Sequence, residues 1–472
     1  MVLFLFLGLF SEAWAVPGGN PYMSSSGSNS MHVDSYASDV HLEPGPRGPD
    51  ASIAKFKYSR LLGLCPLTLN DAHGNIVTVC TKLSGTMLYT LDPETLKIRG
   101  SLELPARKDI YPALSRLKIQ KLYKDTSGGS YFYLDHLNRA VIPTSDREVW
   151  IVSIAADGKL EVRDRVDLRA YIQSEGCPTL RRARFGDRRC DKITAVLPDW
   201  SGRYWFTSRY GVIGIIDPTA KTIRVARLPG EEIQNSFSMA EEGPYIVSDH
   251  ALYHLKAGPL SEPVLVWRRT YDRGSSVKTG QINQGSGTTP TILRSGYVSI
   301  GDNSDSKMNV LVYERGPSGR LVCKVPVFTP NKSACENSFI GLGRSLFVAN
   351  TSGYRNIIQR NSPEGGMARI DIHPDGSGCE LVWETQENAM TATPKYSLET
   401  GLIYIYGADQ KKLEMNRNWV LKAINPNNGR EAFQITAGKG REFDNNWGAI
   451  SLGRDGAVWV GNSQGMFRVK GL

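Results

Sequence analysis

Beyond its first ten residues the chain lacks any long apolar run, and a helix needs about 20 such residues to cross a bilayer. Histidine is scarce, at seven in 472 residues, and scattered, which argues against an iron centre held by four histidines. No His-Glu-x-x-His stretch occurs, and no glycine-rich dinucleotide fingerprint follows a strand pattern. These absences remove the commonest zinc hydrolases and nicotinamide enzymes. The net charge of +9 is modest, and much of it lies in Arg181-Arg182-Ala-Arg184 and Arg188-Arg189. In a secreted chain such a run reads as a solvated loop, not a nucleic-acid patch.

What is present begins with Met1–Phe10, an apolar stretch, followed by Ala13-x-Ala15. This pattern predicts a signal peptide over 1–15 and a secreted protein. Residues 16–52 are rich in Gly, Ser and Pro and lack periodicity, so they read as a flexible leader. His32, Asp34, Asp39 and His41 lie in it and become metal ligands only if it folds back onto the body. Otherwise no metal site is expected. Residues 53–472 read as one domain.

Seven cysteines in a secreted chain predict disulfides and one free thiol. Cys65 begins one strand and Cys80 ends the next, so Cys65–Cys80 is expected. Cys177–Cys190 would staple the Arg-rich loop. Cys323–Cys379 would join the outer strands of neighbouring repeats and leave Cys335 free. Asn331-Lys-Ser and Asn350-Thr-Ser are glycosylation sequons.

From Cys65 onward one grammar recurs about every 45 residues. An apolar strand, a tight turn, an aromatic or β-branched strand, a polar loop, a third strand, an Asx-Pro turn and a fourth strand follow in order. Examples are Ile193–Leu197 with Tyr204–Phe206, and Pro394–Leu398 with Leu402–Ile405. The turn reads Leu91-Asp-Pro, Ile215-Asp-Pro and Ile424-Asn-Pro, where Pro fixes φ and the Asx side chain bonds ahead. This is the four-stranded blade of an all-β propeller. Eight blades fit, with seven as the alternative. The last copy ends after three strands at Phe467–Lys470, so Lys55-Phe-Lys-Tyr-Ser is expected to supply the fourth and close the ring.

Loops entering first strands and loops after second strands meet on one face of a propeller. Those loops carry Arg209, Asn235, Gln284, Asp302, Asn303, Asn337, Arg355 and Asn446, with Lys395 starting an inner strand nearby. Amides dominate, which suits hydrogen bonding to an oxygenated small molecule. His250 is the expected general acid or base, tuned by Asp249 or Asp302, with Arg209 and Arg355 as catalytic partners. Glu232 and Glu336 form a candidate acid pair. Gly461-Asn-Ser463-Gln-Gly465 lacks a following helix and reads as a turn, not a nucleophile elbow. Asp302-Asn-Ser-Asp305 lacks the spacing of a calcium loop.

Asn425-Pro-Asn-Asn-Gly429-Arg and Leu91-Asp-Pro-Glu-Thr resemble the repeat of quinoprotein-like eight-bladed propellers. That resemblance implies a quinone cofactor. The chain has no Cys-Cys pair and no regular docking tryptophan, and both departures speak against a quinone. Glu232-Ile-Gln-Asn235, Asn283-Gln-Gly-Ser-Gly-Thr-Thr-Pro290 and Asp444-Asn-Asn-Trp447 look like a group of secreted propellers similar to fungal hetero-Diels–Alderases of tropolone–sesquiterpenoid pathways. This resemblance implies a cofactor-free cycloaddition through a quinone methide. Three other readings stand beside it: a quinone- or metal-dependent oxidoreductase, a carbohydrate-active lyase or hydrolase, and a non-catalytic binding propeller.

Overall fold

The computed structural model describes residues 19–59, 63–82, 85–106, 127–172, 191–355, 363–389, 392–408 and 417–472. They form eight antiparallel sheets of four strands each, two of which carry one extra short strand. Among the described residues there is no α-helix, and one 3-10 turn at Arg441–Phe443. The eight-bladed reading therefore holds.

The blades follow chain order. Blade 1 spans 63–104, blade 2 133–167, blade 3 193–227, blade 4 238–270, blade 5 291–326, blade 6 340–385 and blade 7 395–439. Blade 8 joins Ile450–Leu452, Ala457–Asn462 and Gly465–Gly471 to the early strand Ala51–Lys57. That early strand runs antiparallel to the C-terminal one, with Ala54 opposite Arg468. Ring closure by the segment around Lys55 is thus as expected.

Each blade grades from apolar inside to charged outside. The inner strand Ile193–Pro198 is buried throughout, whereas the outer strand Leu160–Asp167 alternates, with its charged side chains in water. That alternation fits a sheet whose last edge is open to solvent. The core lies between blades: Val141 of blade 2, Trp205 and Phe206 of blade 3 and Ile246 of blade 4 share one cluster. The Cys65–Cys80 and Cys323–Cys379 disulfides are present, and Cys335 is free and buried. The Cys177–Cys190 pairing, the Arg-rich loop and the signal peptide fall outside the described residues.

One expectation is overturned. The described part of the 16–52 segment is no solvated leader. Residues 20–41 run as a strap inside the central channel, and nearly all are buried. The strap touches the inner strands of six blades. Asn20 Nδ2 donates to Pro198 O (2.8 Å) in blade 3, and Ser24 N to Leu134 O (2.9 Å) in blade 2. Strap carbonyls accept from Met239 N (2.6 Å), Ile292 N (2.9 Å), Gly341 N (2.9 Å) and Tyr396 N (2.9 Å), in blades 4 to 7. Val40–His41 pairs in parallel with Lys395–Ser397. The inner edge of each blade is a row of unpaired backbone groups, and the strap supplies their partners. Small polar residues suit a narrow channel lined by backbone. The same composition read without that context mimics disorder.

Candidate functional site

The upper face is the one that gathers the loops between blades and the loops after second strands. Two polar clusters occupy it.

The first lies on the rim of blades 3 to 5. Asp249 follows the second strand of blade 4 (Gly243–Val247) and is the hub. Its Oδ1 accepts from His250 Nδ1 (2.9 Å) and from Glu232 N (2.7 Å), and its Oδ2 from an Arg273 guanidinium nitrogen (2.8 Å). Arg273 Nε also donates to Asp249 O (2.9 Å). Glu232 in turn pairs with Arg209 (3.1 Å). His250 is therefore held through Nδ1, while among the described residues Nε2 has no hydrogen-bond partner, on a side chain 35 % exposed. The loop motif around Gln284 makes this packing possible. A Cβ at Gly285, whose φ is +98°, would come within 2.7 Å of Asp249 O, and one at Gly287 within 2.2 Å of Glu336 Oε2.

The second cluster sits on the channel axis. Tyr131 hydroxyl donates to Asn235 Oδ1 (3.1 Å), and Asn235 Nδ2 donates to Gly287 O and to Glu336 Oε1 (3.3 Å). Glu336 Oε2 accepts from Ile282 N (3.1 Å). Just below, His32 of the strap lies between Thr289 and Ser338. Ser338 Oγ donates to Asp39 Oδ2, so it accepts from His32 Nδ1 (2.7 Å), and His32 Nε2 accepts from Thr289 Oγ1 (3.0 Å). Lys395 Nζ donates to Asp39 Oδ1 and to Met31 O (2.8 Å). Burial pushes the Lys395 ammonium below its usual value. Burial also acts to raise Asp39, but the Lys395 charge and the contacts from Lys395 and His32 outweigh it and hold the carboxyl low.

The sequence-named residues therefore separate. His250, Arg209 and Glu232 converge on the rim, with Gln284 in the adjoining loop, where its Nε2 donates to Gly274 O (2.5 Å). Asn235, Glu336, Asn337 and Lys395 belong to the axis, so Glu232 and Glu336 sit in different clusters. Lys395 lies beneath the strap and does not face the open rim. Asp302 and Asn303 are spent on their own loops: Asp302 accepts from Asn309 N (2.7 Å) and Nδ2 (2.7 Å), and Asn303 Nδ2 donates to Arg273 O (2.9 Å) and Ser276 O (3.0 Å). Asn446 accepts from Tyr354 hydroxyl (3.3 Å) between blades 6 and 8, and Arg355 is exposed on the blade 6 loop. Asn350 is buried, with Nδ2 donating to Lys332 O (2.9 Å) and Gly365 O (2.8 Å), so the folded protein has no room for a glycan there. Asn331 is exposed. Arg273, Tyr131 and Thr289 were missed. Only the loop positions of Arg273 and Thr289 signalled them.

Among the described residues no cluster of three or more metal-type side chains forms. Asp34 accepts from Ser38 N (3.0 Å) and Oγ (2.7 Å), and His41 pairs with Glu43 (3.3 Å). The strap fills the channel. A cleft lined by His32, Tyr131 and Ser236 retains about 10 Å³, room for at most about one water. No helix among the described residues is long and apolar enough to cross a membrane. The disulfides are compatible with an oxidising, secreted setting.

These features define an eight-bladed propeller with a polar upper face. No family profile matches the sequence. An uncharacterized protein of Archaeoglobus fulgidus is 23 % identical, over 96 % of this chain and 89 % of its own length. Quinohemoprotein alcohol dehydrogenase from Comamonas testosteroni superposes with a TM-score of 0.57 at 9 % identity, over 95 % of this chain and 81 % of that one. BamB from Moraxella catarrhalis gives a TM-score of 0.52 at 14 % identity, over 89 % and 99 %. At these identities the likeness is one of fold.

Proposed function

We propose that this protein is an enzyme that moves protons on an oxygenated small molecule at the rim of blades 3 to 5. The observation that carries this reading is the Asp249–His250 pair. A carboxylate that fixes Nδ1 leaves Nε2 as a base facing solvent. Arg209 and Arg273 flank it and can stabilise an oxyanion as it forms. The matching reaction is loss of water from a hydroxymethyl-tropolone. Nε2 takes the ring hydroxyl proton, and hydroxide leaves and collects a proton. The resulting quinone methide then adds across a sesquiterpene alkene. That last step needs orientation and not a nucleophile. What supports the finer reading is the resemblance to hetero-Diels–Alderases, whose three segments all map to this upper face. The filled channel favours a second reading, a binding propeller that presents the same rim without turnover.

The test is incubation of the purified protein with a hydroxymethyl-tropolone and a cyclic sesquiterpene alkene, with the adduct followed by mass spectrometry. Turnover is expected, with His250→Ala slowed about 100-fold or more. Full activity in a variant with His250, Arg209 and Arg355 all changed to Ala would overturn the residue assignment. Saturable binding without product would select the binding reading.

A further inference from the structure

The Asp39–Lys395 contact has the layout of a covalent cross-link. Asp39 immediately precedes the strap strand Val40–His41, and Lys395 opens the inner strand Lys395–Ser397. These two strands run parallel and in register, Val40 opposite Tyr396, and Tyr396 N donates to Asp39 O (2.9 Å). The backbone thus fixes both side chains on adjacent strands, with Nζ directly against the carboxyl. Asp39 is fully buried and Lys395 is 1 % exposed.

We propose that Lys395 Nζ and Asp39 Cγ form an intramolecular isopeptide bond that locks the N-terminal strap into the propeller.

The hydrogen-bond inventory supports the amide over the ion pair. An ammonium carries three donor hydrogens, and the described residues give Lys395 two acceptors, Asp39 and Met31 O. An amide nitrogen needs one acceptor, and Met31 O provides it. The amide carbonyl would keep Oδ2, which already accepts from Ser338 Oγ. A buried pair of charges pays a desolvation cost that a neutral amide avoids. Burial also favours the neutral amine that attack requires.

The step balances without an oxidant or other co-reactant. A proton passes from the Lys395 ammonium to the Asp39 carboxylate, leaving a neutral amine and a neutral acid. Nζ attacks Cγ, and the charge that builds on Oδ2 is met by the Ser338 hydroxyl. The surplus amine proton passes from Nζ to the adjacent departing Oδ1, which the His32 Nδ1–H, 3.4 Å away, helps to hold in place. The C–Oδ1 bond breaks, the C–N bond forms, and one water leaves. His32, Ser338 and Thr289 form a positioning set around the carboxyl, all of it buried.

The experiment is mass spectrometry of the full-length wild-type protein, reduced and denatured, with a tryptic map. A cross-linked chain is lighter than its sequence by one water, about 18 Da. Acylation blocks trypsin at Lys395, so a branched species is expected that joins the peptide ending at Arg47 to the peptide spanning 370–411. Cleavage after Lys395, with Asp39 in an unbranched peptide and the full mass retained, overturns the proposal. This readout needs no variant to fold. In Lys395→Arg the mass deficit and the branched peptide disappear. In His32→Ala bond formation slows, and the uncross-linked fraction rises in freshly made protein.

Discussion

Asp92 shows how one side chain sets a turn. It heads the Asp-Pro-Glu-Thr segment of blade 1, and its Oδ1 accepts from Thr95 N (2.7 Å), Glu94 N (3.0 Å) and Thr95 Oγ1 (2.9 Å). The Thr95 amide and then these other donors, with Arg99, hold its carboxyl down at about 2. Asp217 repeats the device on Thr219 N (3.0 Å) and Ala220 N (2.8 Å), and Asn425 on Asn427 N (2.9 Å). A carboxyl lowered on folding stabilises the fold above its unfolded value and loses that contribution as pH falls through the folded one. Asp92→Ala is therefore expected to cost about 1 kcal/mol at neutral pH. In urea melts the difference should shrink between about pH 4 and about pH 2. A constant difference across that range would refute the turn's electrostatic origin. Such residues were legible because each acts within four positions of itself. His250 and Asp249 were legible for the same reason. Lys395 was not, because its partner stands 356 residues away.

At the scale of elements, neighbouring blades are pinned by a tryptophan laid on a glycine. Trp267, in the outer strand of blade 4, donates to Gly316 O (2.7 Å), and its ring covers Gly319, where a Cβ would fall 2.5 Å from it. Trp383, in the outer strand of blade 6, donates to Pro426 O (2.9 Å) and covers Gly429, with 2.6–2.9 Å separating a Cβ there from Thr385 and the ring. The sequence has no regular docking tryptophan. Among the described residues the pattern occurs at two blade junctions, too few for a period to show. Gly429 has φ +69°, so Gly429→Ala adds left-handed strain to a steric clash. A cost of about 1–3 kcal/mol is expected, read as a lower thermal midpoint. An unchanged midpoint would mean that the blade 6–7 junction tolerates displacement of Trp383. The pairs Ile193–Leu197 with Tyr204–Phe206 and Pro394–Leu398 with Leu402–Ile405 lie where the repeat places them, because alternation and turn chemistry are local signals. The closing strand was legible through a deficit, since the last blade ran out one strand short.

The whole molecule depends on one N-terminal segment twice over. Residues 51–57 close the circumference, and residues 20–41 fill the axis. The strap follows the channel at a backbone cost: Val33, Ala37 and Asp39 have φ of 75°, 52° and 55°. Left-handed conformations in such residues persist only where surrounding contacts dictate them. Those contacts are substantial, since Met31, Val33, Tyr36 and Val40 are all at most 6 % exposed. Removing one large buried apolar side chain costs about 2–5 kcal/mol. A chain beginning at Pro49 keeps the closing strand but loses all four, and its thermal midpoint should fall by at least about 10 °C. A synthetic peptide of residues 19–48 should restore part of that loss in a saturable way, because it binds the folded ring and not the unfolded chain. Equal midpoints for the two chains would show that the strap is an ornament on a ring that stands without it. A fall that the peptide fails to reverse would place its contribution in the covalent connection to the closing strand, and not in the contacts along the channel.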